Sequence, residues 1–173
     1  MADSQERRTP LYHVHKELGA RMVPFAGWAM PVQYTSILEE ARTVRTGVGL
    51  FDISHMGRVD INGPGALALL QQLTGNDVSA LAVGEAQYSL LTNPQGGIID
   101  DIIVYRIQET LYRLVLNASN TDKDLAWMQS HAGSGVTFQD ATEETAMIAV
   151  QGPRAPEMVA GLAGVRLLEQ PRF

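Results

Sequence analysis

Two adjacent carboxylates, Asp100 and Asp101, lie inside an otherwise apolar run, Ile98-Ile99-Asp100-Asp101-Ile102-Ile103-Val104-Tyr105, directly after the turn-forming cluster Asn93-Pro94-Gln95-Gly96-Gly97. Side chains alternate faces along a strand, so Ile98, Asp100, Ile102 and Val104 share one face and Ile99, Asp101, Ile103 and Tyr105 the other. Both faces are otherwise apolar, and a carboxylate in apolar surroundings is costly unless it is paired or hydrogen-bonded. At least one of the two aspartates is therefore expected to meet something other than bulk water. Two arrangements satisfy that. In one, an aspartate faces solvent while its neighbour accepts amides from an adjacent loop. In the other, a carboxylate accepts hydrogen bonds from a nitrogen-rich ring or moves a proton.

Other polar residues could join this pair. Asn117, at the end of the following strand, offers a donor and an acceptor to a ligand, whereas Asn120 is better placed to cap the helix that begins near Thr121. Tyr88, on the preceding strand, could stack its ring on a flat heterocycle or simply pack. His13, His15, His55 and His131 make no i, i+4 metal pair with a carboxylate, so a zinc site is not expected. Ser54-His55-Met56 lacks the acidic third member and the G-x-S-x-G context of a hydrolase. Trp28 and Met30 read as packing.

These residues must be positioned by a mixture of strands and helices. Thr9 to Leu18 reads as a helix with Pro10 in its first turn and Gly19 ending it. Ala20 to Tyr34, broken by Pro24, Gly27 and Pro31, reads as an irregular apolar segment. Ser36-Ile37-Leu38-Glu39 forms a capping box and predicts a helix from Ile37 to Thr46, stopped at Gly47. Val48 to Ile53 reads as a buried strand, and Arg58 to Ile61 as a strand leading through Gly63-Pro64 into a helix that ends at Leu73. Gln87 to Thr92, Ile98 to Ile107 and Leu111 to Leu116 predict three antiparallel strands. A helix over Thr121 to His131 and strands at Val136 to Asp140 and Thr145 to Val150 follow. Val165 to Leu168 begins a further strand.

One internal repeat is visible. Val59-Asp60-Ile61-Asn62-Gly63-Pro64-Gly65-Ala66 resembles Ile148-Ala149-Val150-Gln151-Gly152-Pro153-Arg154-Ala155, each reading as strand, Gly-Pro corner and helix. The corners lack the glycines and lysine of a phosphate loop. Strands and helices do not alternate regularly, which predicts an α+β fold with antiparallel sheets rather than a doubly wound parallel sheet.

The 173 residues are 45% hydrophobic and 18% charged, which suits one or two domains with a real core. The formal net charge is -6 and no basic cluster stands out, so no nucleic-acid partner is expected. There are no cysteines, which excludes disulfides, thiolate nucleophiles and Cys-ligated metals. No apolar run approaches the ~18 residues of a membrane span, and residues 1–8 lack an apolar signal core. A cytoplasmic protein without a membrane partner is the expectation.

Taken together, the motifs resemble a known family. Thr9-Pro10-Leu11, Pro24-Phe25-Ala26-Gly27-Trp28-Ala29-Met30-Pro31, Glu39-Glu40 with Val44-Arg45, Phe51-Asp52-Ile53-Ser54-His55-Met56-Gly57, Gly96-Gly97-Ile98-Ile99-Asp100-Asp101, Asn117-Ala118-Ser119-Asn120 and Gln151-Gly152-Pro153 occur in order across almost the whole chain. In this it resembles the aminomethyltransferase, or T protein, of the glycine cleavage system. That family protein is about twice as long and resembles a three-lobed cloverleaf around a tetrahydrofolate channel. The resemblance implies that this chain is an N-terminal portion, with residues 1–55 plus 141–173 in one lobe, 56–140 in a second, and antiparallel, partly ferredoxin-like sheets. It is expected to be incomplete and inactive on its own.

The resemblance also implies a reaction. A lipoylated H protein presents an aminomethyl group, and the one-carbon unit passes to tetrahydrofolate with release of ammonia and without a metal. Asp101 matches the family's key aspartate. Met56, Tyr88, Asp101 and Asn117 match positions that line the folate site, and Asp100 is a structural neighbour. The alternatives within the same superfamily are a related folate-dependent demethylase and a folate-binding domain without turnover.

Overall fold

The computed structural model describes residues 6–163. Along the chain run β1 (Arg7–Arg8), α1 (Tyr12–Glu17), β2 (Arg21–Phe25), β3 (Trp28–Gln33), α2 (Ile37–Thr46), β4 (Gly49–Asp52), β5 (Gly57–Asn62) and α3 (Ala66–Leu73). After a short 3-10 turn at Val78–Ala80 come β6 (Ala86–Thr92), β7 (Ile98–Arg106), β8 (Leu111–Leu116), α4 (Thr121–His131), β9 (Thr137–Asp140), β10 (Ile148–Gln151) and α5 (Ala155–Ala163). The fold is α+β with antiparallel sheets, apart from the two-residue β1, which pairs with β3 in parallel, and the chain separates into two compact units. Among the described residues, one comprises 6–55 and 145–163; the other is Met56–Glu144.

The second unit carries a five-stranded sheet of order β6-β7-β8-β5-β9 in which every neighbouring pair is antiparallel. Leaving out the edge strand β6, the succession β5-α3-β7-β8-α4-β9 with spatial order β7-β8-β5-β9 is the ferredoxin-like βαββαβ arrangement. Apolar residues alternate along its strands as a half-buried sheet requires. Val59 and Ile61, Ile102 and Val104, and Tyr112, Leu114 and Leu116 form one buried cluster with Leu69, Leu70, Leu73 and Met128 of the two helices. The helices thus cover one face of the sheet. The other face presents the intervening positions, among them Tyr88, Asp101, Ile103 and Arg113.

The first unit holds the order β1-β3-β2 and a two-stranded β10-β4 sheet. Here the structure corrects the reading of Ala20 to Tyr34 as irregular. The segment is a β-hairpin in which Phe25 pairs with Trp28 across a two-residue turn, and both turn residues have positive φ (Ala26 49°, Gly27 81°). Its prolines are tolerated because β2 is an edge strand, and because β1 pairs only with Trp28 and Ala29, short of Pro31. Trp28 is 2% exposed and Met30 is buried, as packing residues should be. The segment read as a buried strand at Val48 to Ile53 is β4, paired among the described residues with β10 alone, and its Leu50 and Phe51 are exposed. Pro10 and Leu11 form a turn, so the first helix starts at Tyr12. The strand expected at Val165 to Leu168 lies outside the described residues.

Helix α2 starts where the capping box places it: Ser36 Oγ accepts the Glu39 amide at 3.2 Å. Glu40, not Glu39, satisfies the preceding amides, its Oε1 accepting Tyr34 N at 2.7 Å and Thr35 N at 2.8 Å. Behind it, the buried His15 joins Tyr34 OH (2.7 Å from Nδ1) to Asp52 Oδ2 (2.8 Å from Nε2). Burial works against the Asp52 charge, but hydrogen bonds led by that from His15 outweigh it and lower its pKa.

The sequence repeat is a structural one. In each copy a strand runs through a glycine of extreme positive φ (Gly63 123°, Gly152 120°) and a proline into a helix. The closing hydrogen bonds, Ala66 N to Gly63 O and Ala155 N to Gly152 O, are both 3.0 Å. The correspondence extends to the partner strands. Asp140 stands opposite Val59 as Asp52 stands opposite Ile148. Each aspartate then accepts the amide two residues on, from Thr142 and Ser54 respectively, at 2.9 Å. The hydroxyls of those two residues accept Arg58 N at 3.0 Å and Met147 N at 2.9 Å. Both units therefore contain the same Asp-x-Ser/Thr strand end locked to the start of a neighbouring strand.

Candidate functional site

The two central aspartates of β7 face opposite ways. Asp100 is on the helix-covered face and 5% exposed; Asp101 is exposed on the open face. Three N–H groups point at Asp100. Asn117 donates from its backbone to Oδ2 at 3.0 Å and from Nδ2 to Oδ1 at 3.0 Å, and Asn120 donates from Nδ2 to Oδ1 at 2.6 Å. Burial opposes ionisation of Asp100, yet the neighbouring Asp124 carboxyl and the Asn117 and Asn120 donors together hold its pKa below the ordinary value. The expectation that one aspartate would accept amides from a neighbouring loop therefore describes Asp100. The side chain of Asn120, read from the sequence as a helix cap, is drawn to Asp100 and makes no cap hydrogen bond.

On the open face, Asp101 is the centre of a second cluster. Tyr88 donates from its hydroxyl to Asp101 Oδ2 at 2.9 Å, and Asn117 Nδ2 donates to Oδ1 at 2.9 Å. The register makes this possible: Tyr88 pairs with Ile103, so it lies diagonally across from Asp101 on the same face. Hydrogen bonding to Asp101 raises the Tyr88 pKa and keeps its hydroxyl a donor. The Tyr88 side chain remains 54% exposed, which leaves its ring free for contact.

Asn117 bridges the two clusters at the end of β8. Met56 lies at the same end of the sheet, half-buried, one residue before Gly57, which pairs with Leu116. Its carbonyl accepts Arg58 Nη1 at 2.6 Å. Gly57 is required there, because a Cβ would approach Thr121 Oγ1 to 2.4 Å. Of the four residues singled out in the sequence, three (Tyr88, Asp101 and Asn117) are joined by hydrogen bonds, and Met56 flanks them. Sequence reasoning missed Asp124, a carboxyl in the first turn of α4 that is 0% exposed and whose oxygens have no hydrogen-bond donor among the described residues. Its only signal was an acidic residue in a helical first turn, a common and usually solvated feature.

An exposed carboxylate bracketed by a phenol and an amide thus lies on the sheet face opposite the helices, an arrangement with acceptor positions to spare for a polar group. The sequence pattern described as the GCVT N-terminal domain matches residues 11–171. An aminomethyltransferase of Bdellovibrio bacteriovorus is 52% identical over 168 residues, which cover 96% of this chain and 46% of that protein. The aminomethyltransferase of Flavobacterium psychrophilum is 48% identical over 167 residues, with the same coverage of each. The crystal structure of glycine cleavage system aminomethyltransferase T from Bartonella henselae matches with a TM-score of 0.84 at 35% identity, over 96% of this chain and 46% of that one. The chain belongs to the GCVT N-terminal domain family, and it spans about half the length of the curated relatives it matches.

Proposed function

We propose that this chain acts within a tetrahydrofolate-dependent aminomethyltransferase of glycine cleavage. In that reaction a lipoylated H protein brings an aminomethyl group bound through sulfur. The carbon–sulfur and carbon–nitrogen bonds of that group break, two bonds form to the folate nitrogens, and ammonia and the dithiol carrier leave. Tetrahydrofolate supplies the nucleophilic nitrogens. Asp101 supplies the acceptor that holds the N–H groups of its ring and takes part in moving the proton that nitrogen loses.

The observation that carries this reading is the Tyr88–Asp101–Asn117 cluster on the open sheet face of a family whose relatives are named aminomethyltransferases. The residues suit a pterin. A carboxylate offers about four lone-pair sites, and Tyr88 and Asn117 occupy one on each oxygen, which leaves acceptor positions for a donor-rich ring. The exposed Tyr88 ring adds a flat surface, and Met56 an apolar one at the same end of the sheet.

The test is a calorimetric titration with 5-formyltetrahydrofolate of this chain and of the natural full-length protein, with Asp101→Asn beside each. Saturable binding by the full-length protein, weakened by the substitution, is the expected result. Full-length protein that ignores the folate, or that binds it equally well with Asn at 101, overturns the reading. Binding by the 173-residue chain itself would locate the pterin contacts in this portion.

A further inference from the structure

Beneath the open-face cluster lies a carboxyl group that the folate reading does not use. Asp124 is fully buried, and among the described residues neither of its oxygens has a hydrogen-bond donor. Its cationic neighbour, Lys123, stands off at 3.5 Å from Oδ1 and donates instead to the Ile99 carbonyl at 2.9 Å. The group Asp124 does meet is the Asp100 carboxyl. Two neighbouring carboxyls in a buried site strongly disfavour being charged together, so they share a proton. The donors decide where it sits. Asp100 accepts three N–H groups within 3.0 Å, which favour its charged form, whereas the one cation beside Asp124 among the described residues, Lys123, stays at 3.5 Å. Asp124 is therefore the acid and Asp100 the carboxylate.

This pair reaches the open face through one side chain. Asn117 Nδ2 lies 3.0 Å from Asp100 Oδ1 and 2.9 Å from Asp101 Oδ1, and the Asn117 backbone is itself tied to Asp100. We propose that Asp124 is a positioning residue for the ligand face: as a neutral acid it donates to Asp100, Asp100 fixes Asn117, and Asn117 orients the Asp101 carboxylate toward a reduced folate. The proposal takes its ligand from the folate reading, but the buried linkage can be tested without any ligand.

The charges around Asp124 are few. Asp100 approaches from β7 and Lys123 from its own helix. Helix α3, which packs on α4, has no charged residue over Ala66–Leu73. On β5, Arg58 donates to the carbonyls of Met56 and Thr142, and Asp60 is paired with Arg113 of β8. Burial first, and Asp100 second, push the Asp124 pKa up to about 7. Above that pH the shared proton leaves, two buried charges repel, and the hold on Asn117 loosens.

The test uses the natural full-length protein. Without ligand, carboxyl ¹³C NMR of Asp124 and the side-chain amide resonances of Asn117 are followed from pH 4 to 9. Both are expected to move with one midpoint near 7. An Asp124 midpoint near the ordinary value of about 4, or Asn117 resonances blind to the titration, overturns the linkage whether or not a folate binds. Affinity for 5-formyltetrahydrofolate is then measured across the same range. Wild-type affinity is expected to fall about tenfold between pH 6 and 8.5, the effect of losing one hydrogen bond to a charged group. Asp124→Asn keeps an N–H donor and has no proton to lose, so it stays within about threefold of wild type at pH 6 and does not show the fall. Asp124→Leu loses about tenfold or more at pH 6. Where the leucine variant does not fold, the asparagine variant decides: persistence of the alkaline fall in Asp124→Asn overturns the proposal. Absence of folate binding by wild type, with the NMR titration as expected, sinks the folate reading and leaves the linkage standing.

Discussion

Asp100 and Asp101 are consecutive in sequence and do opposite work, because a strand turns each side chain to its own face. Asp101 keeps acceptor capacity open to solvent, whereas Asp100 is buried and accepts three N–H groups from Asn117 and Asn120. In the full-length protein, Asp101→Asn is expected to lower turnover by about 10²–10⁴, the usual contribution of a positioned acid–base group, with little change in the unfolding midpoint. Asp100→Asn leaves buried N–H donors facing an amide. It is expected to destabilise the chain by about 1–3 kcal/mol and to raise KM far more than it lowers kcat. Equal losses of turnover in the two variants would place the chemistry on the wrong carboxylate. Asp124 gives a further expectation at this scale. Its pKa is raised from 3.8 in the ordinary state to about 7 in the fold. The folded chain then binds more protons than the unfolded chain between those values. The stability this group contributes is complete below 3.8 and is lost as pH rises through about 7. Thermal midpoints at pH 5 and pH 8 should therefore differ more in wild type than in Asp124→Asn. An identical pH dependence in the two proteins would show that Asp124 does not hold the proton.

Among the elements, the two Gly-Pro corners make the strongest demands on residue type. A Cβ on Gly63 would sit 2.0 Å from the Gly135 carbonyl oxygen, and one on Gly152 would sit 2.4 Å from the Gly47 carbonyl and 2.5 Å from that of Val44. Backbone cannot step aside as a side chain can, and the φ values add conformational strain. Gly63→Ala and Gly152→Ala are each expected to cost about 2–3 kcal/mol or more. Gly96 has a positive φ but nothing within 4 Å of a built Cβ, so Gly96→Ala should cost only about 1–2 kcal/mol. Urea unfolding of the three variants checks the order; a Gly63→Ala protein as stable as Gly96→Ala would contradict the close approach. These corners sit at equivalent places in both units, each glycine lying against the carbonyl of a glycine that follows a helix. One local solution, strand into helix over a bare backbone, serves twice in the chain.

At the scale of the whole molecule, the chain divides into two units of different character. Met56–Glu144 owns the extensive buried cluster, where Leu70, Ile61, Leu114, Leu116 and Met128 are all inaccessible. The other unit leaves many large apolar side chains exposed, among them Phe25, Ile37, Leu38, Leu50 and Phe51. The cluster in Met56–Glu144 should dominate the stability of that unit. Leu70→Ala removes a side chain from its centre and is expected to cost about 2–5 kcal/mol, read as a lowered urea midpoint and as faster amide exchange in β5, β7 and β8. A loss below about 1 kcal/mol would mean the helices do not pack on the sheet as described. The chain spans about half the length of the curated relatives it matches, and the stability of the Met56–Glu144 cluster is a property measured directly on these 173 residues.

Local physics was legible in the sequence where it acted alone. Alternating apolar positions placed β6, β7 and β8 to within a residue or two, the Ser36 box set the start of α2, and the Gly-Pro repeat announced two matching corners. The same alternation separated Asp100 from Asp101 and marked the run that carries the candidate site. What tertiary structure decided depends on distance through space. The Ala26-Gly27 hairpin was hidden by prolines that only a short partner strand and a sheet edge make tolerable. The Asn120 side chain left its helix cap because a buried carboxylate 20 residues earlier in the chain is a stronger acceptor than solvent offers. Asp124 looked like a solvated helix-start acid until the sheet laid Asp100 against it and excluded water. A sequence states each group's intrinsic chemistry and its local backbone preference. Which charges are desolvated together, and so which of them carries the proton, is settled only when the strands have paired and the helices have closed over one face.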